Sequence, residues 1–257
     1  MEFETEASRR QYGKQAGQYA ASVSHAGGPD LARLIELLRL ANTDAVLDVA
    51  TGTGHTALAL APHVASVVGL DPTEQMLAEA RRLAAERGML NVSFLLGQAE
   101  RLPFPDASFD VVTVRRAPHH FQSIPVALLE MRRVLRPGGK LGLIDQLTAH
   151  DPEAVELMER FERRRDPSHV RALTFDEWRV TLAAAGFQVQ HVEVDEERRT
   201  LAGYLDLSGS APADREAVVA MLKQSEALAG RGFGYSPNPP PEGSFLKERI
   251  IVLATTG

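Results

Sequence analysis

The sequence predicts an α/β fold built on an open, doubly wound sheet, and three observations carry the prediction. Short apolar strands alternate with helical segments, the pattern of a parallel sheet covered on both faces. The first strand runs directly into a small-residue turn, Ala50-Thr51-Gly52-Thr53-Gly54, and then into a helix. The second strand ends on a carboxylate, Asp71. A strand, small turn, helix and acid-terminated strand in this order form the nucleoside-binding half of such a sheet.

Each element has its own signal. Residues 45–50 are the first strand, and Thr56 to Pro62 is the helix after the turn. Residues 65–70 are the second strand. Thr73 to Arg87 carries Met76, Leu77, Ala80, Leu83 and Ala84 at helical spacing, and Gly88 ends it. Val92–Leu96 and Phe109–Val114 are the third and fourth strands. Ile124 to Leu135 is a helix stopped by Pro137, Gly138 and Gly139, and Lys140 to Leu147 is the fifth strand. Asp151 and Pro152 then start a charged helix reaching about Arg165. Thr174 and Glu177 form a capping box for a helix ending near Gly186. Phe187 to Val194 alternates as a strand, and Arg249 to Ala254 is the last one. Residues 196–245, between these two strands, are too many for a hairpin loop. They hold a helical stretch, Ala213 to Ala229, and a Pro/Gly segment at 236–243, and read as an inserted cap.

Bulk properties narrow the function. The chain has 257 residues, of which 44% are hydrophobic, enough for one large domain with an elaboration. Its formal charge is −6 and no Lys/Arg block stands out, which disfavours a nucleic-acid partner. There is no cysteine, so disulfides, thiolate metal sites and thiol catalysis are excluded. No run approaches the ~18 apolar residues of a membrane span, and the charged start has no apolar signal segment. A cytoplasmic enzyme is expected; the oligomeric state is left open.

The remaining question is which adenosine compound the turn accepts. The glycine pattern alone fits NAD, and an NAD-dependent oxidoreductase is the rival reading, although no hydride-transfer constellation is evident. Asp48 tips the balance. A dinucleotide sets its pyrophosphate at the start of the following helix, where a neighbouring carboxylate repels it. S-adenosylmethionine has no phosphate and brings a sulfonium and an ammonium group, which an acid suits.

With Val46 to Gly54, Val68 to Asp71, Gly97 to Phe104 with Phe109 to Val112, and Arg133 to Gly139 in order, the chain resembles the class I S-adenosylmethionine-dependent methyltransferases. It is most similar to the branch of ubiquinone/menaquinone C-methyltransferases and many small-molecule methyltransferases. The resemblance spans roughly residues 10–195 plus the terminal strand. It implies a Rossmann-like seven-stranded sheet of order 3-2-1-4-5-7-6 with strand seven antiparallel. It also implies one domain over 1–257: an N-terminal helical cover at 1–43, a core at 44–195 and 246–257, and the cap at 196–245. The implied reaction moves a methyl group to a small organic acceptor and leaves S-adenosylhomocysteine. A non-catalytic protein that kept the cofactor fold is a further alternative.

Candidate site residues follow. Asp48, Ala50, Gly52 and Gly54 form the turn, with Ala50 where the family more often has glycine. Asp71, with Pro72 beside it, is placed to accept from ribose hydroxyls. Met76 covers the adenine face. Gln98 offers an amide oxygen to the adenine amine where the family often has Asp, and Ala99 offers its N–H. Arg115 follows the fourth strand near the methionine part, and Arg116 is expected in solvent. Tyr19, with Tyr12 and Ala16, lies on a helix that closes over the cofactor. His119, His120 and His169 are the candidate bases, with His120 also near the cofactor and Asp166 a partner for His169. A charged, solvated turn is the competing expectation for His169. As a metal pair, His119 and His120 lack a third ligand at useful spacing. Asp145 ends the fifth strand, and Tyr204 and Phe233 are candidates to line the acceptor pocket.

Overall fold

In the computed structural model, which describes Ala16, Gly17, Ala20 and residues 27–239 and 242–257, seven strands form one sheet of order β3-β2-β1-β4-β5-β7-β6. The strands are β1 (Ala45–Val49), β2 (Ser66–Asp71), β3 (Val92–Leu96), β4 (Phe109–Arg115), β5 (Leu135–Gln146), β6 (Phe187–Thr200) and β7 (Ser244–Thr256). The first five pair in parallel, and β7 runs antiparallel between β5 and β6. This is the predicted topology.

Helices cover both faces. In chain order they are α1 (Pro29–Leu38), α2 (His55–Leu60), α3 (Glu74–Glu86), α4 (Ile124–Val134), α5 (Pro152–Arg165), α6 (Phe175–Ala184), α7 (Leu201–Leu207), α8 (Pro212–Gln224) and α9 (Glu226–Phe233). Strand alternation sorts the core. Val46, Val67, Val111 and Ile144 meet Leu34 and Leu38 of α1 and Leu60 of α2 on one face. Leu47, Val112 and Leu143 meet Leu128 and Met131 of α4 and Trp178 of α6 on the other. Gly142 admits α1 to the sheet, because a Cβ there would sit 2.9 Å from Leu34 Cδ1. The capping signals work as read. Asp151 accepts from the N–H groups of Glu153 and Ala154, and Thr174 and Glu177 cap each other's backbone.

The last two strands run further than expected. Pairing of β5 with β7 stops at Gln146 and Arg249, whereas β6 and β7 continue to Thr200 and Ser244. Residues 196–200 and 244–245, expected in the insert, are therefore strand. The helical stretch at 213–229 is two helices, α8 and α9, and α7 precedes them. These helices build a third core with α5, in which Leu157, Phe161, Leu205, Leu222 and Phe233 pack on Phe245 of β7. The two-stranded extension thus reaches past the rest of the sheet and carries this core with it. Among the described residues no helix is long and apolar enough to cross a membrane.

Candidate active site

A cavity lies outside the C-terminal ends of the parallel strands, where an open α/β sheet binds ligands. One end is built by the turn after β1. Ala50 and Gly52 both adopt positive φ, 54° and 55°, which swings the backbone of the turn out of the strand line. A Cβ on Gly52 would meet nothing within 4 Å, so it faces open space in the cavity wall. Gly54 differs. It is absent from the wall, and a Cβ there would lie 2.9 Å from Ala80 Cβ and 3.0 Å from the Phe94 ring. Its glycine serves the packing of α2 on α3 and β3, which corrects the expectation that it approaches a ligand.

Asp48 and Asp71 anchor this turn. The Asp48 carboxylate is buried and accepts from the hydroxyls of Thr51 (2.6 Å) and Thr113 (2.7 Å). Burial pushes its pKa up to about 6, against those hydrogen bonds. It therefore ties the turn to β4 as well as lining the cavity, and it is a muted charge beside the open anion the sequence argument assumed. Asp71 accepts from Gly52 N (2.8 Å) and Thr73 N (2.9 Å), joining the turn to the start of α3. A carboxylate has about four lone-pair directions. Pro72, Met76, Gln98 and Ala99 complete this end of the wall. Met76 and Ala99 are buried there, so core packing and cavity lining coincide.

Arg115 ends β4 and forms a two-pronged pair with Asp30 of α1, Nε and Nη2 each at 2.9 Å. Arg116 Nε joins the same carboxylate at 3.0 Å. Arg116 is therefore not solvated as expected: it lines the cavity, and its φ of 55° turns its side chain back onto Asp30. Burial pushes Asp30 upward, but the two guanidiniums overcome it and hold its pKa down at about 2.

The histidines gather next. His119 Nδ1 lies 2.5 Å from Asp145 Oδ1, both side chains being buried. Burial raises Asp145 to about 7 and drives His119 well below its ordinary value. Asp145 thus fixes the imidazole through its Nδ1. His120 stacks 4.0 Å from His119 and points Nδ1 at Ser168 O (3.1 Å); burial, reinforced by His119, lowers it to about 3. His169 departs from both expectations. Its side chain is fully buried, outside the cavity wall, between Glu159 (3.1 Å) and the Gln146 amide (3.5 Å). Asp166 instead accepts from Ser168. Among the described residues no group of side chains is arranged to hold a metal.

The far wall was largely missed. Arg165 of α5, Arg199 of β6, Tyr204 of α7, and Lys247 and Arg249 of β7 all face the cavity. Only Tyr204 was singled out beforehand; Phe233 stacks on Phe161 inside the cap core instead. A partial signal did exist: Asp195 and Glu197 fall opposite Arg249 and Lys247, although Glu196 falls opposite Glu248. Tyr19 and Tyr12 lie outside the described residues.

A doubly wound sheet with a small-residue turn, an acid-terminated β2 and an antiparallel β7 defines an α/β protein with a cavity at the switch point of its sheet. Comparison with known proteins makes the class specific. The Methyltransferase domain family model matches residues 46–139. The uncharacterized methyltransferase YcgJ of Bacillus subtilis is 38% identical over 80% of this chain and 81% of its own. Its crystal structure superposes with a TM-score of 0.84 at 32% identity, covering 88% of this chain and 97% of that one. A demethylmenaquinone methyltransferase of Thermus thermophilus is 48% identical over 39% of this chain and 46% of its own. An S-adenosylmethionine-dependent methyltransferase from Aquifex aeolicus shares the fold, with a TM-score of 0.56 at 22% identity over 70% of this chain and 90% of that one. The chain belongs to the class I S-adenosylmethionine-dependent methyltransferases. It is an enzyme of that family, and the NAD reading falls away.

Proposed function

We propose that this enzyme methylates a small organic acceptor bound between the β1 turn and the β6–β7 extension. The observation that carries the reading is the continuity of one cavity wall from Ala50, Gly52 and Asp71 through Arg115 to His119 and Tyr204. The cofactor end fits S-adenosylmethionine: Asp71 accepts from the ribose, Gln98 and Ala99 N–H address adenine, Met76 and Pro72 flank it, and Asp48, Ala50, Gly52 and Arg115 surround the methionine part. When bound, the cofactor supplies a methyl group on a cationic sulfur, ready for in-line displacement, and leaves as S-adenosylhomocysteine.

The chain's own contribution is alignment, exclusion of water and removal of a proton. His119 is the base. Asp145 holds its Nδ1, which leaves Nε2 to accept a proton from an acceptor O–H, N–H or acidic C–H. His120 packs against it as a wall. His169 is a positioning residue that locks α5 to the β5 end through Glu159 and Gln146. The cap helices close the acceptor end through Tyr204.

Calorimetric titration with S-adenosylmethionine and S-adenosylhomocysteine tests the cofactor assignment; no heat at millimolar ligand overturns it. Incubation with methyl-labelled donor and a metabolite extract tests the acceptor class. Label is expected in the small-molecule fraction, and label confined to protein or nucleic acid overturns that part.

A further inference from the structure

Beyond His119 the cavity wall changes sign. The cofactor end is lined by the acids Asp48, Asp71 and Glu100, together with Arg115 and Arg116, which are paired with Asp30. The opposite end is lined by Arg165, Arg199, Lys247 and Arg249, while their partners Glu162, Asp195 and Glu197 stand behind them, outside the wall. Asp166 is the acid that does face this end, and it is engaged by the N–H and hydroxyl of Ser168.

Three of the cations crowd one aromatic ring. The guanidinium of Arg165 lies 4.2 Å from the Tyr204 centroid, Lys247 Nζ 5.0 Å and the guanidinium of Arg199 5.9 Å. Arg165 and Lys247 share a single carboxylate, Glu162. Burial lowers Lys247 to about 8 in spite of Glu162, and the two arginines press in the same direction. Lys247 spends its three N–H bonds on Glu162 (2.8 Å), Tyr204 (2.7 Å) and Gln146. Arg199 does not spend all of its own. Its Nη2 donates to Glu197 (2.9 Å), but its buried Nε has no hydrogen-bond partner among the described residues. A buried donor left unmet is costly, and a guanidinium edge is the side chain best shaped for an oxyanion.

We infer that the methyl acceptor carries an oxyanion, carboxylate or phosphate, which seats against the guanidinium of Arg199 where it lines the cavity beside Tyr204, with Arg165 and Lys247 supplying the field. The inference rests on the methyl-transfer reading and names its substrate class. An anion there offsets the crowding of the three cations. It also pins one end of the acceptor on the β6–β7 extension, so that the nucleophilic end faces His119 and the cofactor.

The test uses the full chain saturated with S-adenosylhomocysteine, so that the cofactor's own carboxylate is already placed. Benzoate, phenyl phosphate and neutral benzamide are titrated calorimetrically. At least one anion is expected to bind tenfold or more tighter than benzamide, and which one does so separates carboxylate from phosphate. Arg199→Gln is expected to bring that preference within twofold while leaving S-adenosylhomocysteine affinity unchanged, which also reports that the variant is folded. Arg199→Lys, which keeps the charge and loses the fork, is expected to retain an intermediate preference and decides the matter if the glutamine variant does not fold. Equal binding of all three probes overturns the inference, as does a preference that is undiminished in Arg199→Gln or, where that variant does not fold, in Arg199→Lys. Absence of heat with S-adenosylhomocysteine alone is a different failure: it removes the methyl-transfer reading and this inference with it.

Discussion

The two ends of the cavity are made by different means. The end proposed to hold the cofactor is local. Asp48, Ala50, Gly52 and Asp71 fall within one strand–turn–helix–strand unit, and backbone conformation does most of the shaping. The acceptor end is assembled from afar. Arg165, Arg199, Tyr204 and Lys247 come from four elements, held in place by ion pairs across a strand extension. A general nucleoside site thus needs only a short sequence unit, whereas the discriminating site is distributed over side chains that the antiparallel edge of the sheet brings over it.

The sharpest way to break this comparison is to disable chemistry without touching the cofactor. His119→Ala is expected to slow methyl transfer by about 10²–10⁴-fold, the usual contribution of a positioned base. S-adenosylhomocysteine affinity, measured by calorimetry, is expected to stay within a factor of about two, because the proposed cofactor contacts do not include His119. An equal loss of both would show that the ends are not separable.

The reciprocal change is Asp71→Asn. It keeps the size of the side chain and removes a charged acceptor, worth about 1.5–3 kcal/mol per hydrogen bond to a charged group. S-adenosylhomocysteine is then expected to bind about 10–100-fold more weakly in the same titration. The His119 environment, followed by its imidazole NMR shift across pH, is expected to be unmoved.

What was legible in the sequence follows the same division. The turn and the acid at the end of the second strand were readable because each is a short-range consequence of residue type: small residues at positive φ and a carboxylate closing a strand. The sheet order is long-range and came from the family resemblance alone. Gly54 was misassigned because a glycine needed for packing and one needed for a ligand look alike in a string of letters; only the Ala80 and Phe94 contacts separate them. Arg116 was placed in solvent because nothing local announces Asp30, eighty-six residues earlier. β6 was cut short because its outer part, Asp195 to Arg199, is a run of charges that carries no hydrophobic period, and β7 because Ser244 to Glu248 does not alternate cleanly. His169 stood among charged neighbours in the sequence, but its partners are Glu159, one α5 turn system away, and Gln146 at the end of β5.

A buried ion pair ties Asp30 of α1 to Arg115 and Arg116 at the end of β4, and acid pH probes it. Asp30 is held at about 2 against an ordinary 3.8. A depressed carboxylate stabilises the fold above the unfolded value and loses that contribution as pH falls through the folded one. The shift corresponds to about 2 kcal/mol. Urea unfolding of the wild type and Asp30→Asn is therefore expected to differ clearly at pH 6, with the gap narrowing progressively from pH 4 towards pH 2. A gap constant over that range would mean that Arg115 and Arg116 do not depend on the charge of Asp30.

The smallest expected effect tests whether backbone shape alone sets the cofactor end. Ala50 occupies the left-handed region at φ 54°, where a Cβ costs roughly 1–2 kcal/mol that glycine does not incur. Ala50→Gly relieves that strain but gives the unfolded chain extra freedom, a loss of about 0.4–1 kcal/mol. The two nearly offset, so urea unfolding is expected to give a gain of about 0.5 kcal/mol, with S-adenosylhomocysteine affinity unchanged. The turn is already locked by Asp48 through Thr51 and by Asp71 through Gly52, so its conformation does not depend on the alanine methyl. Weaker cofactor binding in Ala50→Gly would instead mean that the methyl itself touches the ligand, and that this end reads side chains as the other does.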